Sequence, residues 1–368
     1  MRIVVIGAGA IGGFVGGKLA ASGQDVTFVD RAPFVEAVRA KGLRIVEPDD
    51  TTTVQVKATT ELGEAFDASS FDASSAVDLV LVCVKTFHTQ TVVNDLAPYA
   101  SHFRLIASFQ NGISNDDLLM RAFGPDRVIA ATITHPVAVP ELGVARSEKK
   151  RGGIGLAPII SQSVESLAAQ FNQAGIVTRA YADYRSLRWS KLLLNIIGNA
   201  TSAILNMNTV RVFNDRRLVW LEVAQLREAI AVMDKLQVRP VSLPGYPVPL
   251  LVLALRLAPT PLLGPVMRPL VVKGRAEKLP SLLIELNRGS YLSEVDEING
   301  AVARAGQAAG VPTPVNSILT ATLNLLTNNP TLREAWQGNV ERLVLVAKGA
   351  QKKPSIWQDT EGVKLQDL

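Results

Sequence analysis

The stretch that most constrains this chain lies near its start. Arg2 to Ile6 is a short β-branched run, Gly7-Ala8-Gly9-Ala10-Ile11-Gly12 follows, and a helical pattern continues to about Ser22. A G-x-G-x-x-G between a strand and a helix has a mechanical meaning that the glycines alone lack. Gly7 permits the tight turn, Gly9 lets the backbone approach a pyrophosphate, and Gly12 lets helix and strand pack closely. The helix start then offers N–H groups and partial positive charge to phosphates. A second strand, Asp25 to Asp30, ends in an acid that can accept both ribose hydroxyls of a dinucleotide. Together these features predict a Rossmann domain with Gly7, Gly9, Gly12 and Asp30 on the cofactor.

The α/β alternation continues with a helix near Phe34 to Lys41 and strands near Leu43 and Thr53. Val77 to Val84 is an unbroken apolar run, the pattern of a parallel strand buried on both faces. It runs into Lys85, beyond a strand end, where ligands of open α/β sheets bind. Phe103 to Ser108 delivers Gln110-Asn111-Gly112 to the same edge, although Asn-Gly is equally the signature of an ordinary turn. Val128 to Thr134 and Gly152 to Leu156 continue the sheet, and a helix covers about Val164 to Ala174. From Asp183 the pattern becomes helical throughout, over 186–205, 215–237, 246–258, a longer stretch to about Arg288, 293–309 and 314–328. Two domains are expected, 1–182 dinucleotide-binding and 183–345 all-helical, with a tail over 346–368.

Within the helical half, Arg188 to Ala200 reads as part of one helix running to about Leu205. Lys191, Asn195 and Asn199 recur at i, i+4 and i+8, each step drifting by only about 40° around the axis. The rest of the circumference is apolar, so Lys191 needs a carboxylate or a ligand to receive its charge. The plain alternative is a wet helix face. Asparagine is a poor mid-helix residue, however, and a polar cleft facing a ligand explains the stripe better.

With 48% hydrophobic and 19% charged residues the chain has the composition of a folded enzyme. A net charge of +5 suits anionic ligands. No interleaving of aromatic and basic residues suggests a nucleic-acid surface. The single cysteine, Cys83, excludes an internal disulfide framework, fits a reducing cytoplasm, and sits in an apolar run as inert core. Pro247 to Val272 is apolar, but Arg256, Arg268 and four prolines cut it into pieces too short to span a bilayer. It reads as buried helices. No metal site and no membrane partner are expected.

In order, GAGAIGG, VKTFHTQ around Lys85, QNG at 110–112, RWSKLLLNIIGNATSAIL, PSLLIEL and SEVDEING resemble the ketopantoate reductase (2-dehydropantoate 2-reductase) family over nearly the whole length to about residue 330. The resemblance implies an α/β Rossmann domain followed by an all-α domain of the 6-phosphogluconate dehydrogenase type. It implies a homodimer with the active site between the domains, and reduction of a 2-oxo acid by a nicotinamide cofactor. By the same resemblance Lys191 is the catalytic lysine and Glu294 the acid that anchors substrate and lysine. Asn195, Asn199 and Ser281 hold substrate hydroxyls and carboxylate, while Asn111 and Lys85 lie along cofactor and substrate. Lys278 stands where the bacterial enzymes of the family carry Asn, and the apolar insertion at 247–272 is longer. Both departures leave room for a related 2-hydroxy acid dehydrogenase with another substrate. A non-catalytic nucleotide sensor is the third reading, and it would need none of Lys191, Asn195, Asn199 and Glu294.

Two residues carry competing expectations. Arg31 can pair with a 2′-phosphate, whereas Asp30 prefers the free diol of NAD(H). The reading favours NADP(H), as the resemblance to NADPH-using reductases implies, because Asp30 can swing toward solvent whereas nothing else explains Arg31 at that position. Ser293-x-x-Asp296 resembles a capping box, so Glu294 can alternatively serve only a helix terminus.

Overall fold

The computed structural model describes residues 1–66, 76–149, 151–160, 163–275 and 279–352. The chain divides into two compact units, Met1–Lys191 with Ser242–Tyr246, and Leu192–Val241 with everything from Pro247 onward. The division falls inside the helix Tyr184–Ile196.

The first unit is built on strands β1 (Arg2–Ile6), β2 (Asp25–Val29), β3 (Leu43–Glu47), β4 (Asp50–Val54), β5 (Lys57–Thr59), β6 (Val77–Val82), β7 (Phe103–Ser108), β8 (Val128–Ile133), β9 (Val137–Ala138), β10 (Val144–Ser147), β11 (Ile154–Pro158) and β12 (Thr178–Ala180). Eight form one sheet in the order β12-β11-β8-β7-β6-β1-β2-β5. From β5 to β8 all neighbours run parallel, and β11 joins antiparallel to β8. The chain starts in the middle of this sheet and winds outward in both directions, which leaves a crevice where β1 meets β6. Ile3, Val4, Val5 and Leu79 to Val82 are fully buried, as strands covered on both faces must be.

The remaining four strands make a second sheet, β4-β3-β10-β9, that the sequence pattern did not reveal. Strands near Leu43 and Thr53 are present as expected, but they pair with each other and with β10 rather than with the main sheet. The helix Ala10–Ala21 packs against strands of both sheets, and its one charged residue, Lys18, reaches Glu47 on β3 at 2.6 Å. A Cβ on Gly16 would meet Phe28 at 2.7 Å and Val5 at 2.9 Å, and one on Gly17 would meet Ile45 at 2.9 Å.

The second unit is helical among its described residues. Arg216–Lys235 runs through its centre, packed against Thr209–Asn214, Val248–Leu257, Thr260–Arg275, Val295–Ala309, Pro314–Asn328 and Val340–Lys352. Polar side chains tie these helices together. Asn299 Nδ2 donates to Gln225 Oε1 at 2.8 Å and to Asn316 Oδ1 at 3.0 Å. The Glu228 carboxylate receives the N–H groups of Val315 and Asn316, which open the helix Pro314–Asn328. Burial pushes the Glu228 pKa up to about 7, with those N–H groups opposing the rise.

Three expectations need correction here. The helix expected to run to Leu205 ends at Ile196, and a new one, Asn199–Leu205, begins after Gly198 in the left-handed region at φ 64°. The segment from 247 is helical but not buried throughout. Leu250, Leu253 and Leu257 lie along one side of Val248–Leu257 and are exposed, as is Leu262. The chain is still helical at 346–352, where a tail was expected, and residues 353–368 lie outside the described residues. Among the described residues no helix is long and apolar enough to cross a membrane.

Candidate active site

The glycine turn sits at the crevice between β1 and β6. Gly7 has φ 91°, and a Cβ there would meet Val84 Cγ1 at 2.8 Å. At Gly12 a Cβ would lie 2.0 Å from the Gly7 carbonyl oxygen, so any side chain would force turn and helix apart. Gly9 differs from both, because its missing Cβ would point into open space. That open side, at a helix start with no side-chain cap, fits the close approach of a dinucleotide pyrophosphate.

Asp30 does not swing to solvent. Its carboxylate accepts the N–H of Ala8 within the glycine turn and the N–H of Arg31 at 2.6 Å. The Arg31 side chain is 93% exposed, with Nε 3.9 Å from Asp30 Oδ1. The acid is therefore tied into the turn rather than turned to solvent, which removes one ground for NADP(H) and leaves exposed Arg31 as the other.

Beyond the strand ends the loops are cross-tied. Lys85 follows β6 and opens the short 3-10 turn Thr86–His88. Buried Gln110 donates through Nε2 to the carbonyls of Val84 (3.2 Å) and Lys85 (3.4 Å) and to Thr89 Oγ1 (2.8 Å). Thr89 Oγ1 in turn donates to Asn115 Oδ1 at 2.7 Å, and Asn115 Nδ2 donates to the Asn111 carbonyl at 2.8 Å. Lys85 and Asn111 are thus brought to one edge, as expected, by partners the sequence did not single out. Cys83 packs against the sheet core, and burial pushes its thiol pKa up, so it stays protonated.

Lys191 is half-buried on the helix Tyr184–Ile196. One turn earlier, Arg188 is 3% exposed and faces Asp116, which is 1% exposed. Arg188 Nε and Nη2 donate to the two Asp116 oxygens at 2.6 Å each. Its remaining N–H groups reach the carbonyls of Gln110 (2.8 Å), Ala131 (2.9 Å) and Ser108 (3.0 Å). All five guanidinium donors have acceptors. Neither residue was singled out from sequence, although a charged side chain among Leu187, Trp189 and Ser190 was a signal that something must receive it.

In the second unit Asn195 is buried at the end of its helix, and Asn199 opens the next. Glu222, fully buried, accepts from the Gly198 N–H at 2.6 Å and from Thr201 Oγ1 at 2.5 Å, and so holds the break between the two helices. The expected single stripe is therefore split. Asn199 and Ser281 do come together: Asn199 Nδ2 donates to Ser281 Oγ at 3.2 Å, and Asn199 Oδ1 accepts the Leu282 N–H at 3.1 Å. Glu294 is 2% exposed, and although it precedes the helix Val295–Ala309 its carboxylate makes no cap hydrogen bond. A plain helix-capping role does not account for it. Lys278 lies outside the described residues. Among the described residues no cluster of three or more metal-ligating side chains occurs.

Comparison with known proteins gives a consistent result. Residues 3–158 match the family described as ketopantoate reductase PanE/ApbA, and residues 183–327 match its C-terminal counterpart. The 2-dehydropantoate 2-reductase of Pyrococcus horikoshii is 27% identical over 87% of this chain and 96% of its own length. That of Halobacterium salinarum is 33% identical over 56% of this chain and 67% of its own. A PanE/ApbA family ketopantoate reductase from Ralstonia eutropha superposes with a TM-score of 0.74 at 28% identity, covering 90% of this chain and 100% of that one.

Proposed function

The chain belongs to the ketopantoate reductase family, and on that premise we propose that it reduces 2-dehydropantoate to pantoate with a nicotinamide dinucleotide. The observation that carries this reading is the match over residues 183–327. A glycine turn serves many dehydrogenases, whereas the helical half holds the residues assigned to the substrate.

A nicotinamide dinucleotide held at Gly7, Gly9, Gly12 and Asp30 would supply the hydride for the C2 carbonyl carbon. Negative charge then builds on the carbonyl oxygen, and a cationic proton donor aimed there lowers the barrier. Lys191 takes that role, donating a proton from Nζ as the alkoxide forms, so that hydride and proton together give the 2-hydroxy acid. Asn195, Asn199 and Ser281 hold substrate hydroxyl and carboxylate groups without adding charge. Glu294 accepts from a substrate hydroxyl, and Lys85 and Asn111 line the cofactor and substrate on the strand-end loops.

For cofactor choice, the held position of Asp30 supports a preference for NADH, since a 2′-phosphate would meet a fixed carboxylate. Exposed Arg31 remains the group through which NADPH could bind. The ratio of kcat/KM for the two cofactors tests this, and a clear NADPH preference would overturn it. A homodimer in the cytoplasm completes the proposal. The exposed Leu250, Leu253 and Leu257 face supports an apolar contact between copies, and a monomer in sedimentation at micromolar concentration would refute it.

The deciding experiment is reduced-cofactor consumption against a panel of 2-oxo acids. 2-Dehydropantoate should show the highest kcat/KM by at least about tenfold, the scale of one well-placed polar contact. A faster 2-oxo acid would reassign the substrate, and no turnover at all would leave a nucleotide-binding sensor.

A further inference from the structure

We infer that Arg188, held by Asp116, is a positioning residue that sets Lys191 against the strand-end loop carrying Asn111. The inference rests on the proposed role of Lys191 and extends it to how that lysine is placed. Arg188 and Lys191 are three residues apart on one helix, so they share a face. What fixes Arg188 therefore fixes the turn from which Lys191 projects.

The fixing is unusually complete. One guanidinium ties the end of β7 through the Ser108 carbonyl, β8 through Ala131, the loop after β7 through Gln110, and the first turn of the helix Asn115–Phe123 through Asp116. These are the elements that frame Asn111, whose own carbonyl is held by Asn115 next to Asp116. Gln110 carries the tie onward to the Lys85 carbonyl. An interior ion pair is a weak device for stability alone, because an apolar pair of similar size does as well. A planar fork that reads a carboxylate and three carbonyls at once is a good device for fixing a direction. Lysine cannot substitute for it, having three donors on one atom in place of five spread over a plane.

The test compares wild type, Arg188→Lys and Asp116→Asn as full-length enzymes. Cofactor binding counts the folded sites, and kcat per site, KM for 2-dehydropantoate and the primary isotope effect of cofactor deuterated at the transferred position are measured. Misplacement of the donor by about 1 Å costs on the order of a hundredfold. Arg188→Lys should therefore lower kcat per site by roughly ten- to a hundredfold, raise the isotope effect and change KM by less than about threefold. Asp116→Asn keeps the shape and should give a smaller loss of the same kind. A purely structural pair would instead lower Tm and the folded fraction, with kcat per site and isotope effect unchanged. That result in Arg188→Lys, or in Asp116→Asn if the first variant does not fold, overturns the inference. Should wild type itself not reduce 2-dehydropantoate, the substrate reading fails separately. Crystal structures of the variants then decide, with displacement of Lys191 Nζ expected and an unmoved Lys191 refuting the positioning role.

Discussion

In the glycine turn, each part is close in sequence to the next: Gly7 bends the chain, Gly9 leaves a space open, and Gly12 lets the helix return against the turn. Around Lys191, Arg188 finds its acceptors 57 to 80 residues away, and Gly198 finds Glu222 24 residues later. The turn offers a ligand backbone groups whose spacing the sequence fully encodes. The lysine helix works with side chains whose meaning depends on what the fold places opposite them. Substitutions in the first should disturb affinity, and substitutions in the second should disturb rate.

The sharpest break of that contrast is Lys191→Ala. Loss of a positioned proton donor should lower kcat by roughly two to four orders of magnitude. Cofactor affinity should change little, and a normal kcat with only a raised KM would make Lys191 a passive anchor. Next comes Glu294→Gln, which keeps shape and removes charge. A charge-assisted hydrogen bond to substrate is worth about 1.5–3 kcal/mol, so kcat/KM should fall by roughly ten- to a hundredfold. Near wild-type activity would return Glu294 to a structural role.

On the other side of the contrast, Gly12→Ala forces a methyl against the Gly7 carbonyl. At the usual overpacking cost of about 1–3 kcal/mol, the Kd for cofactor should weaken by roughly five- to a hundredfold, with kcat at saturation largely kept. Fluorescence titration checks it, and a collapsed kcat at saturating cofactor would erase the distinction between the two regions. Asn199→Ala removes a donor to Ser281 and an acceptor for Leu282, and should raise the substrate KM by roughly three- to tenfold.

One further effect lies outside the site and is read in stability alone. The Glu228 pKa is raised by burial from 4.5 to about 7, so the folded state holds this proton more tightly than the unfolded chain. The associated stability is complete below about pH 4.5 and is lost as pH rises through about 7, by roughly 3–4 kcal/mol at most. Denaturation across this range should show wild type losing stability relative to Glu228→Gln. Parallel curves for the two would show that Glu228 does not titrate there.

The strand-turn-helix, the Rossmann order and the switch to helices at about residue 183 are all legible in sequence, because each rests on local periodicity. Gly198 is not legible as a break, since it lies inside a continuous helical periodicity and the acceptor of its N–H, buried Glu222, is 24 residues away. Asp30 is readable as a strand-end acid but not as a partner of the Ala8 N–H. The exposed leucines of Val248–Leu257 carry the same letters as a buried face, and hydropathy alone cannot say which side meets water. Arg188 is the instructive miss, because its value lies in a carboxylate on a distant helix and in carbonyls contributed by two strands and a loop.

The helix that begins after Gly9 is gripped by both sheets at adjacent positions, Gly16 against the larger and Gly17 against the smaller, with no room for even a methyl group at either. That packing holds the helix start before any nucleotide arrives. Little of the association free energy should then go into ordering the phosphate seat, which leaves the translational and rotational entropy of the nucleotide as the main cost at that end. A substitution that loosens the smaller sheet, far from any phosphate, should accordingly appear as weaker nucleotide association with an unfavourable entropy, and as nothing at all in the chemistry.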